Sequence, residues 1–196
     1  MIDTIGAWVL KETCQFGRQW LNDGLPAVIL TVNVSAYQFR RCDMKALVTQ
    51  MLNETGFPAD YLGLEITETG LMNHQEHALP ILNSLREQGV HLIIDNFGTG
   101  YSSLAYLNHL PVDILKIDKT FINDIPFSQD DSAITATIIA MAHHLGFKVL
   151  AEGVETAEQL AFLRQQGCDS YQGYWYSKAL TASEFADLLH NSSNYS

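Results

Sequence analysis

The sequence predicts an α/β fold built on a parallel sheet. Three observations lead there. Six short runs are rich in Val, Ile, Leu and Tyr and nearly continuously apolar, as strands buried on both faces are. A stretch of helical periodicity follows each run, and that alternation implies parallel pairing through right-handed crossovers. Each run also carries a polar side chain able to ligate a metal or move a proton, and five of the six carry it at the C-terminal end, where parallel α/β folds bind ligands.

The elements follow in order. Residues 5–22 form an amphipathic helix with Trp8, Val9, Cys14, Phe16, Trp20 and Leu21 available for burial. The first strand is AVILTVNVS (27–35). A helix over 43–54 places Met44, Leu47, Val48, Met51 and Leu52 at helical spacing and ends near Gly56 and Pro58. YLGLEIT (61–67) is the second strand, and the helix over 75–88 ends at Gly89. VHLIIDN (90–96) is the third, followed by a short helix in SSLAYLNHL (102–110). VDILKID (112–118) is the fourth, and the helix over 131–145 ends at Gly146. KVLAEGV (148–154) precedes a helix over 156–167, which opens with Thr156 and Gln159 at capping-box spacing and closes on Gly167. YQGYWY (171–176) is the sixth strand, and Thr181 with Glu184 repeats the capping box before FADLLH. The tail HNSSNYS reads as a fraying end, so one domain over 1–190 with a flexible tail at 191–196 is expected. Periodicity leaves two architectures open, a doubly wound open sheet and a (β/α)8 barrel.

Composition narrows the functions. The 196 residues carry a formal net charge of −11, which provides no general field for a nucleic-acid polymer or an anionic membrane. An anionic ligand would have to meet local positive charge, from a metal, a few lysines or backbone N–H groups. The longest apolar run, Ile134 to Ala142, is far short of the ~18–20 residues of a membrane span. The first residues lack a basic head and a small-residue cleavage site, so no signal peptide is expected. Cys14, Cys42 and Cys168 are odd in number and far apart, which argues against a disulfide framework or a Cys-based zinc site and for a reducing, cytoplasmic compartment. A longer parent anchored in a membrane is compatible with that.

The strand-end residues are Asn33, Glu65, Asp95, Lys116 with Asp118, and Glu152, with Gln172 early in the last strand. Burying Glu65, Asp95 and Glu152 without partners would cost several kcal/mol each, about the price of a buried unpaired polar group or more. A cation or a catalytic task accounts for them. The set is one of hard oxygen donors, suited to Mg²⁺ or Mn²⁺, and such ions bind phosphoryl oxygens and activate water. By residue type, Lys116 suits holding that water or offsetting phosphate charge, and Glu152 suits a general base.

The loop DNFGTGYSSL (95–104) is the most specific local stretch. Gly98 and Gly100 permit backbone angles a side chain forbids, and Ser102 or Ser103 suits capping the next helix. Gly98-Thr99-Gly100 lacks the third Gly of a dinucleotide fingerprint and the Lys of a P-loop. Leu104 stands where a nucleophile elbow needs Gly. His143 and His144 fit a helix C-terminus, where the dipole favours a cation. His74 and His77 read as surface, and Tyr174, Trp175 and Tyr176 as packing rather than base stacking.

VNVSAYQF, LGLEITET, IIDNFGTGYSSL, LPVDILKIDKTFI, AEGVET and CDSYQGYWYSKAL, in this order, resemble the EAL domain family of bacterial cyclic di-GMP phosphodiesterases. The resemblance covers essentially the whole chain. It implies a TIM-like (β/α)8 barrel with one antiparallel strand. It implies hydrolysis of one of the two phosphodiester bonds of cyclic di-GMP, giving linear pGpG, with one or two Mg²⁺ or Mn²⁺ ions. Asn33, Glu65 and Asp95 resemble metal ligands of the family. Glu68 resembles the residue that braces the loop after the acidic pair, and Lys116 the one that positions the attacking water. Glu152 resembles a glutamate serving as metal ligand or general base, and Gln172 a residue near the metal-bound water. The loop from Phe97 to Ser103, with Gly98, Thr99, Gly100, Tyr101 and Ser102, resembles the one linking metal site, substrate and dimer interface, so a homodimer is an expectation.

Two departures qualify this. Asn96 stands where active members carry a second Asp; Asn can ligate through its carbonyl oxygen but carries no charge, which should weaken a second cation. The chain also begins after the first two strands of the family's barrel, and so without the Glu of the signature Glu-Ala-Leu and the neighbouring substrate-binding Arg. An open barrel exposes strand edges and invites association. The expected function is therefore metal-dependent hydrolysis of cyclic di-GMP, weak or absent in this chain. The alternative is a degenerate module that binds cyclic di-GMP or a protein partner. A different TIM-barrel enzyme, such as a sugar-phosphate isomerase, has only the generic strand-end acids in its favour.

Overall fold

The computed structural model describes residues 2–72, 75–100 and 104–192. Six parallel strands form one sheet in simple chain order. They are β1 (Leu30–Val34), β2 (Leu62–Thr67), β3 (His91–Phe97), β4 (Ile114–Ile117), β5 (Lys148–Glu152) and β6 (Ser170–Gln172). Nine α-helices accompany them among the described residues: α1 (Ile2–Asn22), α2 (Ala36–Arg41), α3 (Met44–Thr55), α4 (Glu68–Met72), α5 (Gln75–Arg86), α6 (Leu104–Leu107), α7 (Gln129–His144), α8 (Ala157–Gln165) and α9 (Ala182–Ser192). Sequential order with helical crossovers is the arrangement of a barrel rather than of a doubly wound sheet, whose strand order reverses at a switch point. The sheet is a curled part of a TIM-like barrel, with β1 and β6 as its edges.

Local chemistry explains the helix limits. Ser35 accepts from the Gln38 amide and caps α2, and Asp43 accepts from Ala46 to cap α3. Gly56 closes α3 in the left-handed region, at φ +66. Ser128 caps α7, whose first turn holds Asp130 and Asp131 and whose last holds His143 and His144, as the macrodipole favours. Thr156 and Gln159 form a complete capping box on α8. Thr181 and Glu184 bond reciprocally ahead of α9.

The core lies between the sheet and its helices. Leu62, Leu64, Ile66, Ile94, Leu115, Ile117 and Val149 are all but fully buried there with Leu82, Leu85 and Ile139. Burial on both faces holds for β2 and β3, but β1 alternates and β6 is largely exposed, because each has a neighbour on one side only. Several sequence expectations are corrected. Trp8 and Phe16 of α1 are exposed, while Leu10 and Cys14 take the buried stripe. Helices α2 and α4 were not expected. The sixth strand ends at Gln172, because Gly173 packs on the Val154 backbone and turns the chain across the end of β5. Tyr174, Trp175 and Tyr176 consequently stand exposed instead of packing inside. Residues 193–196, His74 and the side chain of His77 lie outside the described residues. Among the described residues, no helix is long and apolar enough to cross a membrane.

Candidate active site at the carboxyl ends of the strands

Register carries the strand-end residues to one end of the sheet. Asn33 pairs with Glu65, Thr67 with Asp95, and Glu152 with Gln172. Four of the seven meet. The Lys116 ammonium lies 2.6 Å from Glu65 Oε2, 2.6 Å from Glu152 Oε1 and 3.3 Å from Asp95 Oδ1. Glu65, Asp95 and Lys116 are buried, and Glu152 is half-buried. Asn33 and Gln172 sit beside the cluster in register but on the exposed edge strands. Asp118, read with Lys116 as a strand-end group, instead caps a 3₁₀ turn by accepting from the Thr120 amide at 2.8 Å.

The charges are coupled. Burial alone would push the Lys116 pKa down, but Glu152 and Glu65 outweigh it and hold the ammonium above the ordinary lysine range. Lys116 therefore stays charged at neutral pH and donates without accepting. Burial pushes the Glu152 carboxyl up, against the pull of Lys116, with Asp95 and Glu65 adding repulsion. A raised carboxyl is better matched to taking a proton near neutrality than an ordinary one.

The cluster sums to three carboxylates and one ammonium, a surplus of two negative charges. Asp95 Oδ1 is buried with no hydrogen bond: at 3.3 Å the ammonium attracts it without the alignment of a bond. Orphaned buried oxygens of this kind call for a further partner. Both observations fit a divalent cation held by hard oxygens. Among the described residues, however, no three His, Cys, Asp or Glu side chains stand in a ready ligating arrangement, since the acids are drawn onto Lys116.

The loop after β3 is tied down by a residue on another element. Glu68, at the start of α4 and buried, accepts from the Gly98 amide at 2.9 Å and the Gly100 amide at 3.3 Å through Oε2. Gly98 has φ +96, and a Cβ there would stand 2.7 Å from the Phe121 ring; one on Gly100 would stand 2.8 Å from Glu68 Oε1. Thr99 is exposed and donates its hydroxyl to the Asn96 carbonyl at 2.8 Å. Tyr101, Ser102 and Ser103 lie outside the described residues. Sequence reasoning missed the conformation of Asn96, which has φ +54, and the irregular register around it. The only signal was the order Asp-Asn-Phe, a polar residue between the site acid and a large apolar one. His143 and Asp169 pair at the opposite end of the sheet, where Asp169 also accepts from the Val149 amide at 2.8 Å.

Known proteins share this fold. The model of the EAL domain matches residues 1–179. A Pseudomonas aeruginosa protein named cyclic di-GMP phosphodiesterase NbdA is 46% identical over 189 residues, covering 96% of this chain and 24% of its own length. The solved structure described as a PaMucR phosphodiesterase with c-di-GMP superimposes with TM-score 0.91 at 41% identity, over 94% of this chain and 74% of that one. Klebsiella pneumoniae BlrP1, solved as a manganese and cy-diGMP complex, superimposes with TM-score 0.76 at 29% identity, over 88% of this chain and 42% of that one. The chain spans about a quarter of the length of the curated relatives it matches. Taken with the sheet order and the acids gathered on Lys116, these matches show that the chain belongs to the EAL domain family.

Proposed function

We propose that this chain carries the site of a metal-dependent phosphodiesterase that hydrolyses cyclic di-GMP to linear pGpG. The observation that carries the reading is the meeting of Glu65, Asp95 and Glu152 on Lys116 at the carboxyl ends of parallel strands. Likeness to NbdA and to the ligand-bound MucR structure supplies the substrate class. Asn33, Glu65, Asp95 and Glu152 are the residues that would hold Mg²⁺ or Mn²⁺. The ion when bound supplies Lewis acidity toward phosphoryl oxygen and a lowered pKa for water. Glu152 takes the proton of the attacking water. Lys116, charged at neutral pH, orients that water and offsets charge on the phosphate. Water adds across one of the two phosphodiester bonds, and the departing ribose oxygen takes up a proton. Glu68 holds the Gly98–Gly100 segment against the site.

The test is incubation with cyclic di-GMP and Mn²⁺ or Mg²⁺, followed by chromatography for pGpG, with Glu65→Ala as control. Product formed by the native chain and lost in the variant supports hydrolysis. A second reading, binding without turnover, is favoured by the neutral Asn96 and by the engagement of all three acids with Lys116. Calorimetric binding of cyclic di-GMP with no pGpG would establish it. Cytoplasmic location and pairing with a second copy remain part of this proposal.

A further inference from the structure

Strand β3 carries one extra residue where it meets β4. Ile94 is in register with Leu115 and Phe97 with Ile117, so Asp95 and Asn96 together stand opposite Lys116 alone. Bulges are rare in parallel pairs, and beside active sites they re-aim side chains. Asn96 is the one non-glycine residue with positive φ among the described residues. Paired residues share a face, and faces alternate along a strand. Regular alternation would put Asn96 among the helices with Ile94, and Phe97 on the face of Asp95. The bulge returns Phe97 to the buried row of Ile94 and Ile117 and leaves Asp95 on the face of Lys116, 3.3 Å from its ammonium. The chain then runs directly into the segment clamped by Glu68.

We propose that Asn96 is a positioning residue acting through its backbone: its left-handed turn makes the bulge that lets Phe97 enter the buried row while Asp95 keeps the face of Lys116, and that delivers the loop to Glu68. This rests on the hydrolytic reading of the cluster, but its first test needs neither metal nor substrate. Asn enters the left-handed region more readily than other side chains, Gly most readily, and Ala poorly. Ala at this φ shifts the balance against the bulge by about tenfold. In the metal-free chain, amide hydrogen exchange at Gly98 and Gly100 is expected to quicken about tenfold in Asn96→Ala and to stay within about twofold of native in Asn96→Gly. Mn²⁺ affinity, read by titration, is expected to fall in Asn96→Ala and to be retained in Asn96→Gly. Rescue by a residue with no side chain is an outcome that a ligating Asn96 does not allow. Equal loss of Mn²⁺ affinity in the Gly and Ala variants, or native exchange in Asn96→Ala, overturns the proposal. If Asn96→Ala does not fold, the comparison of Asn96→Gly with native decides alone: retained affinity and exchange support the proposal, and lost affinity refutes it. A native chain that binds no Mn²⁺ sinks the hydrolytic reading, while the exchange measurements still decide the role of Asn96.

Discussion

Glu68 Oε2 accepts the Gly98 amide at 2.9 Å, joining residues thirty apart in sequence. The bond fastens the start of α4 to the loop after β3, and the Gly100 amide doubles it. Glu68→Ala is expected to destabilise the chain by about 1–3 kcal/mol, the cost of leaving buried donors without an acceptor. Urea unfolding reads the stability, and exchange at the Gly98 amide reads the loop. Native stability with native exchange would show that the clamp is idle.

Among the described residues, Lys116 is the sole cation against three carboxylates. Lys116→Met leaves those charges uncompensated, and breaking one side of a buried pair costs about 3–5 kcal/mol. Millimolar Mn²⁺ is expected to restore more of the lost stability in Lys116→Met than it adds to the native chain, since the ion then faces a larger surplus of negative charge. Thermal melts with and without Mn²⁺ check this. Equal increments in both proteins would mean that the acids do not share one ion site.

Asp169 governs an acid-range prediction. Burial would raise its pKa, but the His143 ring, the Val149 amide and the charge of His143 together bring it below the ordinary 3.8. A carboxyl depressed in the fold contributes stability above its unfolded value, which is lost as pH falls through the folded one. The contribution is therefore present above pH 3.8 and disappears below it. The pair is partly exposed, so solvent screening keeps the effect to about 1 kcal/mol or less. Asp169→Asn should flatten the stability curve below pH 4, measured as urea midpoints across the acid range. A steeper acid limb in the variant would contradict the assignment.

Gly173 is packed against backbone rather than side chain. A Cβ there falls on the Val154 carbonyl and amide, neither of which can rotate away. Gly173→Ala is expected to cost about 3 kcal/mol or more, at or beyond the usual range for overpacking, and to detach β6. Exchange at the Val154 amide, which donates to the Gln172 carbonyl at 3.1 Å, reports that detachment directly. Unchanged protection there would refute it.

Most of the fold was legible because its signals are local. Apolar runs bounded by Gly and capping residues mark strands and helices whatever surrounds them, and Thr156 with Gln159 made the box their spacing implies. The site was legible as a list, since charges inside apolar runs are conspicuous in one dimension. Its geometry was not. That Lys116 would hold Glu65 and Glu152 at once depends on register across four strands, β2 to β5. The bulge at Asp95 and Asn96 depends on Phe97 finding the buried row, a tertiary preference. Tyr174 to Tyr176 read as packed because aromatic residues usually are, and only the turn at Gly173 exposes them.

The simple order of the sheet bears on how the molecule is made. Each strand from β2 onward lies beside the one synthesised just before it, so none waits for a partner further down the chain. At about 5–20 residues per second on the ribosome, a new stave emerges every few seconds into a docking position already formed. Glu65, Asp95 and Lys116 thus enter the growing sheet acid first, and two carboxylates must share one end of it until β4 arrives with the Lys116 ammonium. Lys116 cuts that surplus from two negative charges to one, and Glu152 on β5 then restores it.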